Sequence, residues 1–325
     1  MCLPQRVEHS SYRFSCFTFL GDYMPVLGND FAVVTNYVRK LRGGSQPILA
    51  QASDGHQYVV KFSNNLQGPN LLFNESMGYA LYRACNLPVP IWKPLLLTDF
   101  LIDQNPDCWM VTTNGRLRPT PGLCFGSRFL GEGGARFLEI LPGNAFERVR
   151  NRASFWLARL IDICAEQTDN RQAIFCEDAN GGLSTTFVDQ GNFFGGPKAD
   201  LKKRSGASSY LDPRIYPKLS SEELLGFKKR IQEFDSDSLW RQVVSIPADW
   251  RYKTALDSFR CCLQRLSEPV QVQHILDSVI DAHEQRTQKK PGNVTGEQNS
   301  IFEVRRSGIQ SEGFRGNYAH HPARA

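Results

Sequence analysis

Apolar and polar positions begin to show a period near Phe31, where Phe31-Ala32-Val33-Val34 predicts a first strand. A basic stretch then leads to Arg42-Gly43-Gly44-Ser45-Gln46, followed by an apolar run at 48–52, Asp54-Gly55, and a second run at 56–62. Asp-Gly between two such runs predicts a hairpin closed by a type I′ turn, whose two central residues need positive φ. Over 69–85 the spacing changes to three and four, with Leu72, Ser76 or Met77, Ala80 and Ala84 on one face, and Leu87-Pro88-Val89-Pro90 ends that helix. Strands are expected at 95–102 and 108–112, with Asp107 and Asn114-Gly115 as turn residues.

Beyond a loop rich in Gly and Pro, Phe146, Val149, Ala153, Trp156, Leu160 and Cys164 predict one long amphipathic helix running up to Asp169. Two short β-like runs, 172–176 and 184–188, flank Gly181-Gly182 and end at Asp189. Ser220-Ser221-Glu222-Glu223 is a capping-box pattern opening a helix with Leu224, Phe227, Ile231 and Phe234 on one side. Further helices are expected over 249–265 and 270–286. A β-rich half followed by a helical half predicts an α+β, two-lobed, protein-kinase-like fold. Its expected parts are an N-terminal extension at 1–30, a small lobe at 31–115, a large lobe at 116–286 and a disordered tail at 287–325.

Composition narrows the partners. With 41% apolar and 11% aromatic residues in 325, the chain has what a packed core requires. Its net charge of +5 is modest and scattered, apart from the run 198–204, so nucleic-acid binding is not expected. Nine cysteines form no C-x-x-C pair and no zinc spacing, and the odd count fits a reducing compartment. No run approaches the roughly 20 apolar residues of a membrane span. A cytoplasmic protein without membrane contact is expected.

The candidate chemistry lies in four places. Lys61 ends the second hairpin strand, where an ammonium on a flexible stem can pair with phosphates, and Glu75 on the following helix can hold it. Gly43, Gly44, Ser45 and Gln46 lack a Walker pattern, yet between the first two strands their backbone N–H groups can approach phosphates. Asp169, in a polar turn after a helix, can orient a hydroxyl and take its proton. Asp189, after Phe187-Val188 and before Gly191, can hold a metal at a strand end. Gln172 is a candidate amide ligand to a second metal, and Arg171 either orients the loop or pairs structurally with a carboxylate. Each position alone has a plain alternative as a solvated lysine, a glycine turn or a turn aspartate. In this order they form the minimum set for an ATP-dependent kinase. The six histidines are dispersed and no G-x-S-x-G occurs, so a hydrolase triad has little support.

With these residues in place the chain resembles the HipA-like kinases, bacterial relatives of the HipA toxin kinase. The resemblance rests on Arg42 to Gln46, Tyr58 to Gly68, Asn74-Glu75, Leu87 to Pro90, Phe125 to Arg128, Asp169 to Gln172 and Asp189 to Gly191. It implies ATP and Mg2+ as cofactors, Lys61 on the phosphates, Asp169 as the catalytic aspartate and Asp189 as the metal ligand. Where HipA has a histidine and then an asparagine after its aspartate, this chain has Arg171 and Gln172. The resemblance also implies that Ser45 is a candidate for inhibitory self-phosphorylation. The expected partners are ATP and a hydroxyl acceptor, with protein Ser/Thr preferred over a small molecule. The alternatives are a nucleotide-binding pseudokinase acting as an interaction module, and a non-kinase α+β structural protein.

Overall fold

The computed structural model describes residues 31–198 and 209–288. The expected N-terminal extension, most of the basic run 198–204 and nearly all of the expected tail lie outside the described residues. The chain divides into two compact units, Met1–Asp277 and Ser278–Ala325. The site and everything that positions it belong to the first, and the second is described only for its helical start.

The first unit begins with β1 (Ala32–Lys40), β2 (Ile48–Ala52) and β3 (Gln57–Lys61), paired antiparallel in order. The β2–β3 hairpin forms as the sequence predicts, but with another turn. Gly55 alone takes positive φ, +82°, and its N–H donates to the Ala52 carbonyl at 3.0 Å. That is a type I turn closed by a left-handed glycine, the usual three-residue hairpin. After the first helix come β4 (Trp92–Leu97) and β7 (Gly122–Arg128), and the five strands close into a barrel in the order β1-β2-β3-β7-β4. The β-rich part of the chain therefore runs on to Arg128. Val34, Ile48, Ala50, Tyr58, Val60, Phe62, Leu95, Leu97, Met110 and Cys124 form its buried core.

Two of the expected strands differ. Residues 99–102 belong to a helix, α2 (Asp99–Gln104), because Thr98 caps it by accepting the Leu101 N–H at 3.3 Å. Cap chemistry outweighs the apolar run here. The second strand is confined to β5 (Met110–Thr112), which pairs with β6 (Gly115–Leu117) after a 3-10 turn over Pro106–Cys108.

Helix α1 (Leu71–Ala84) is buried at every position from Leu71 to Tyr82, well beyond the single face its spacing predicts. Burial all round marks a helix enclosed by protein, so its polar positions Asn74, Glu75 and Ser76 need partners inside. Tyr79 packs edge-on against Phe125 of β7, Phe73 against Phe259, and Tyr82 against Phe187. Glu75 is thus carried into a place with no solvent.

In the large lobe the long helix expected from Phe146 is two pieces, a 3-10 turn Phe146–Arg148 and α3 (Ser154–Cys164). Between them the chain is drawn out by a small sheet of β8 (Phe137–Leu138), β9 (Gln172–Glu177) and β10 (Leu183–Val188). Arg150 N–H donates to the Leu183 carbonyl at 2.9 Å, and Asn151 bonds both backbone groups of Thr185. Strands β9 and β10 stand where the sequence places them. Helices α4 (Ser221–Gln232), α5 (Ser236–Arg241), α6 (Lys253–Leu266) and α7 (Pro269–Gln288) follow, α4 opening on the expected capping box. Of the described cysteines, Cys85, Cys108, Cys124, Cys164 and Cys262 are buried, and burial pushes the thiols of Cys85, Cys124 and Cys164 up to about 12. They behave as small hydrophobes. Among the described residues no helix is long and apolar enough to cross a membrane.

Candidate active site

Lys61 ends β3 with its side chain turned away from the barrel core and is only 6% exposed. Its Nζ bonds Glu75 Oε1 and lies 2.9 Å from Asp189 Oδ1. Burial alone would pull the lysine down, but the Asp189 and Glu75 carboxylates outweigh it and hold the ammonium firmly charged. Burial pushes Asp189 up, and Lys61 more than reverses this, so its carboxyl sits below the ordinary aspartate value. Glu75 goes the other way: burial raises it against the pull of Lys61, with Asp189 adding to the rise. Lys61 and Asp189 therefore balance in charge while Glu75 keeps its proton, and the cluster turns negative when Glu75 ionises, beside Asp189, whose side chain is 27% exposed.

The turn after β10 is fastened to α1. Glu75 Oε1 accepts the Gly191 N–H at 2.9 Å and Oε2 that of Gln190 at 3.3 Å. Asn74 donates both amide hydrogens, to the Gly191 carbonyl at 3.0 Å and the Phe193 carbonyl at 2.7 Å. Gly191 is required by this approach, since a Cβ there would stand 2.4 Å from Leu71 Cδ1 and 2.8 Å from Glu75 Oε1. Asp189 itself holds a left-handed φ of +62°. Such a conformation in a non-glycine residue costs about 1–3 kcal/mol and needs support from its surroundings.

The Asp169 turn is tied to the same loop. Thr168 N–H donates to the Asn192 carbonyl at 3.0 Å, and Arg171 Nη1 to the Val188 carbonyl at 3.1 Å. Asp169 is exposed, and its Oδ1 accepts the Asn170 N–H at 2.7 Å. Gln172, also exposed, opens β9 opposite Val188. Arg171 is buried and paired with Asp162 through two bonds of 2.7 and 3.0 Å. Of the two openings the sequence leaves for Arg171, the carboxylate partner is present.

In the glycine loop Gly43 and Gly44 are exposed, whereas Ser45 is 6% exposed and its carbonyl accepts from Asn65 Nδ2 at 2.8 Å. A kinase acting on Ser45 would first have to open the loop. The Gln46 side chain is spent on the β5–β6 hairpin, donating to the Val111 carbonyl at 2.7 Å and accepting the Val111 N–H at 2.8 Å. It braces the loop in place of offering a free donor.

Sequence reasoning gave no role to Asn74 or Asp162. Asp162 carried a signal, an acid in the run Leu160-Ile161-Asp162-Ile163-Cys164, where a buried carboxylate demands a cation.

No protein-family model matches the chain, and no curated protein sequence matches it. Among solved structures it is similar to the Helicobacter pylori proinflammatory kinase CtkA, with a TM-score of 0.50 and 10% identity over 78% of this chain and 97% of that one. Two structures of the Golgi casein kinase also align, one of them with Mn/ADP bound. Their TM-scores are 0.43 and 0.46, each at 12% identity, over 76% of this chain and 72% and 73% of theirs. The chain has a two-lobed, protein-kinase-like α+β fold, with a β-rich small lobe and a mostly α-helical large lobe.

Proposed function

We propose that the chain is a HipA-like, Mg-ATP-dependent kinase that transfers the γ-phosphoryl group to a hydroxyl, with protein Ser/Thr as the acceptor class. One observation carries this reading: a buried lysine held between Glu75 and Asp189, with the Asp169 turn bonded directly to the Asp189 loop. Lys61 would pair with the ATP phosphates while Glu75 fixes its direction, and the N–H groups of Gly43 and Gly44 would approach from the barrel side. Asp169, exposed on its turn, would orient the acceptor hydroxyl and take its proton late in the transfer.

The residues fit magnesium. Asp189, the carboxylate that Lys61 keeps ionised, offers a hard oxygen on the partly open side of the cluster, and Mg2+ takes one or two carboxylates together with phosphates and waters. Asp189 would hold the ion, whose charge neutralises phosphate oxygens when bound, and Gln172 is the proposed amide ligand to a second metal.

Purified protein incubated with radiolabelled ATP, magnesium and a cell extract tests the reading. Label on protein that disappears with Asp169→Asn supports it. A thermal upshift with Mg-ATP but no turnover favours the pseudokinase reading. That alternative rests on the loop after Asp169, where Arg171 is taken up by Asp162 and Gln172 is exposed at the start of β9.

A further inference from the structure

We infer that Arg171 is a positioning residue that sets the Asp169 turn and the Asp189 loop in one frame for phosphoryl transfer, an inference that rests on the kinase reading above. Arg171 lies two residues after Asp169, and its Nη1 donates to the carbonyl of Val188, one residue before Asp189. The rest of the guanidinium is fixed from other directions. Nε and Nη2 form a fork onto Asp162 near the end of α3, and the plane lies 5.1 Å from the Tyr82 ring and 5.3 Å from the Phe193 ring. Tyr82 of α1 donates its hydroxyl to Asp162 at 2.6 Å, and the Arg171 backbone N–H donates to the Ser209 carbonyl at 3.1 Å. One planar cation therefore joins α1, α3, the end of β10 and the turn that carries Asp169.

Stability is a poor reason for such a pair. A buried ion pair is commonly matched or bettered by apolar residues of similar volume, because desolvation cancels most of the attraction. What an apolar replacement cannot supply is direction. Five N–H donors in a rigid fork fix Val188 relative to Asp162 in distance and angle, whereas the three donors of a lysine radiate from one nitrogen on a flexible stem and cannot reproduce a two-bond fork onto Asp162 together with a separate bond to Val188. Positioning errors near 1 Å cost about 100-fold in rate, so the effect expected is on turnover.

Two variants of the full chain test this, Arg171→Lys and the charge-balanced double variant Arg171→Met/Asp162→Leu, each followed by thermal unfolding, ADP release from Mg-ATP and incorporation of radiolabel. The double variant is expected to melt cooperatively near the wild-type temperature, with kcat lowered roughly 100-fold and KM for ATP within about threefold, since Lys61 and the glycine loop are untouched. Arg171→Lys should share the kcat defect. A folded double variant with kcat within about threefold of wild type overturns the inference, as does a change confined to KM. Failure of both variants to fold also overturns it, by making the guanidinium a folding element. Absence of turnover in the wild-type protein is a separate result, which removes the kinase reading and this inference with it.

Discussion

Replacing Lys61 by Met leaves two carboxylates without their cation, Glu75 where water barely reaches, at 1% side-chain exposure, and Asp189 on the partly open side, at 27%. Removing one partner of a buried pair costs about 3–5 kcal/mol. The variant has one escape, which is to protonate Glu75, the carboxyl that burial already raises. Taking up that proton from pH 7.5 costs about 4 kcal/mol relative to an unfolded glutamate of pKa about 4.3, but only about 2 kcal/mol from pH 6. The folded state then binds a proton that the unfolded state does not, so the variant loses stability as pH rises. Wild type bears part of the same cost, because burial has already raised its own Glu75, so only the excess separates the two proteins. At about 2–4 °C per kcal/mol for a domain of this size, the variant should melt several degrees below wild type at pH 7.5, with a smaller deficit at pH 6. Far-UV melts of nucleotide-free protein in EDTA measure this, and adding Glu75→Gln to the variant should recover roughly half of the loss. A Lys61→Met protein that melts within about 2 °C of wild type at pH 7.5, or whose deficit does not change with pH, refutes the picture of a water-excluded Lys61–Glu75 pair.

Three further outcomes are expected. Asp169→Asn keeps magnesium-dependent nucleotide binding and loses transfer, whereas Asp189→Asn loses the magnesium dependence as well, as a magnesium titration with a fluorescent nucleotide would separate. Gly191→Ala places a methyl group against Leu71 and Glu75 and should lower stability by about 1–3 kcal/mol in a denaturant titration. At the hairpin turn, burial raises the Asp54 carboxyl, but bonds from Lys93 and Tyr58 outweigh it and leave the group below its ordinary value. Its contribution is present above the ordinary aspartate range and is lost as pH falls through the lowered value, so wild type and Asp54→Asn should converge in melting temperature on acidification towards about pH 3.

The parts of this fold that were legible in the sequence are those specified locally. The β2–β3 hairpin, the strands ending at Asp189 and the capping box of α4 each follow from a short period and its bounding turn residues. Errors fell where two local signals competed. The apolar run at 95–102 hid the Thr98 cap, and the spacing from Phe146 to Cys164 continued through residues that instead pair with β10. Strand β7 was hidden by its own composition, since Gly126 lies where Leu95 leaves no room for a Cβ. At the site, Lys61, Glu75 and Asp189 could be named from type and order, and the structure brings them together. The ties between Asn74 and the Asp189 loop span more than 115 residues, and that from Gln46 to Val111 spans 65, so no local pattern announces them.

The bracing of the glycine loop bears on the entropy of any ligand it meets. Ser45 and Gln46 are fixed by Asn65 and by the backbone of Val111 before anything binds, and the Gln46 N–H closes back on the Gly43 carbonyl at 3.1 Å. Ordering a residue's backbone takes roughly 1–2 kcal/mol of free energy, and for these positions that loss is incurred when the chain folds. On the proposed reading, a phosphate arriving at Gly43 and Gly44 would meet a loop already fixed at Ser45 and Gln46, and binding there should show a smaller entropic penalty than a loop that closes as a flap. Cutting the brace with Gln46→Ala would move that penalty from folding to binding, leaving contacts unchanged and affinity weaker.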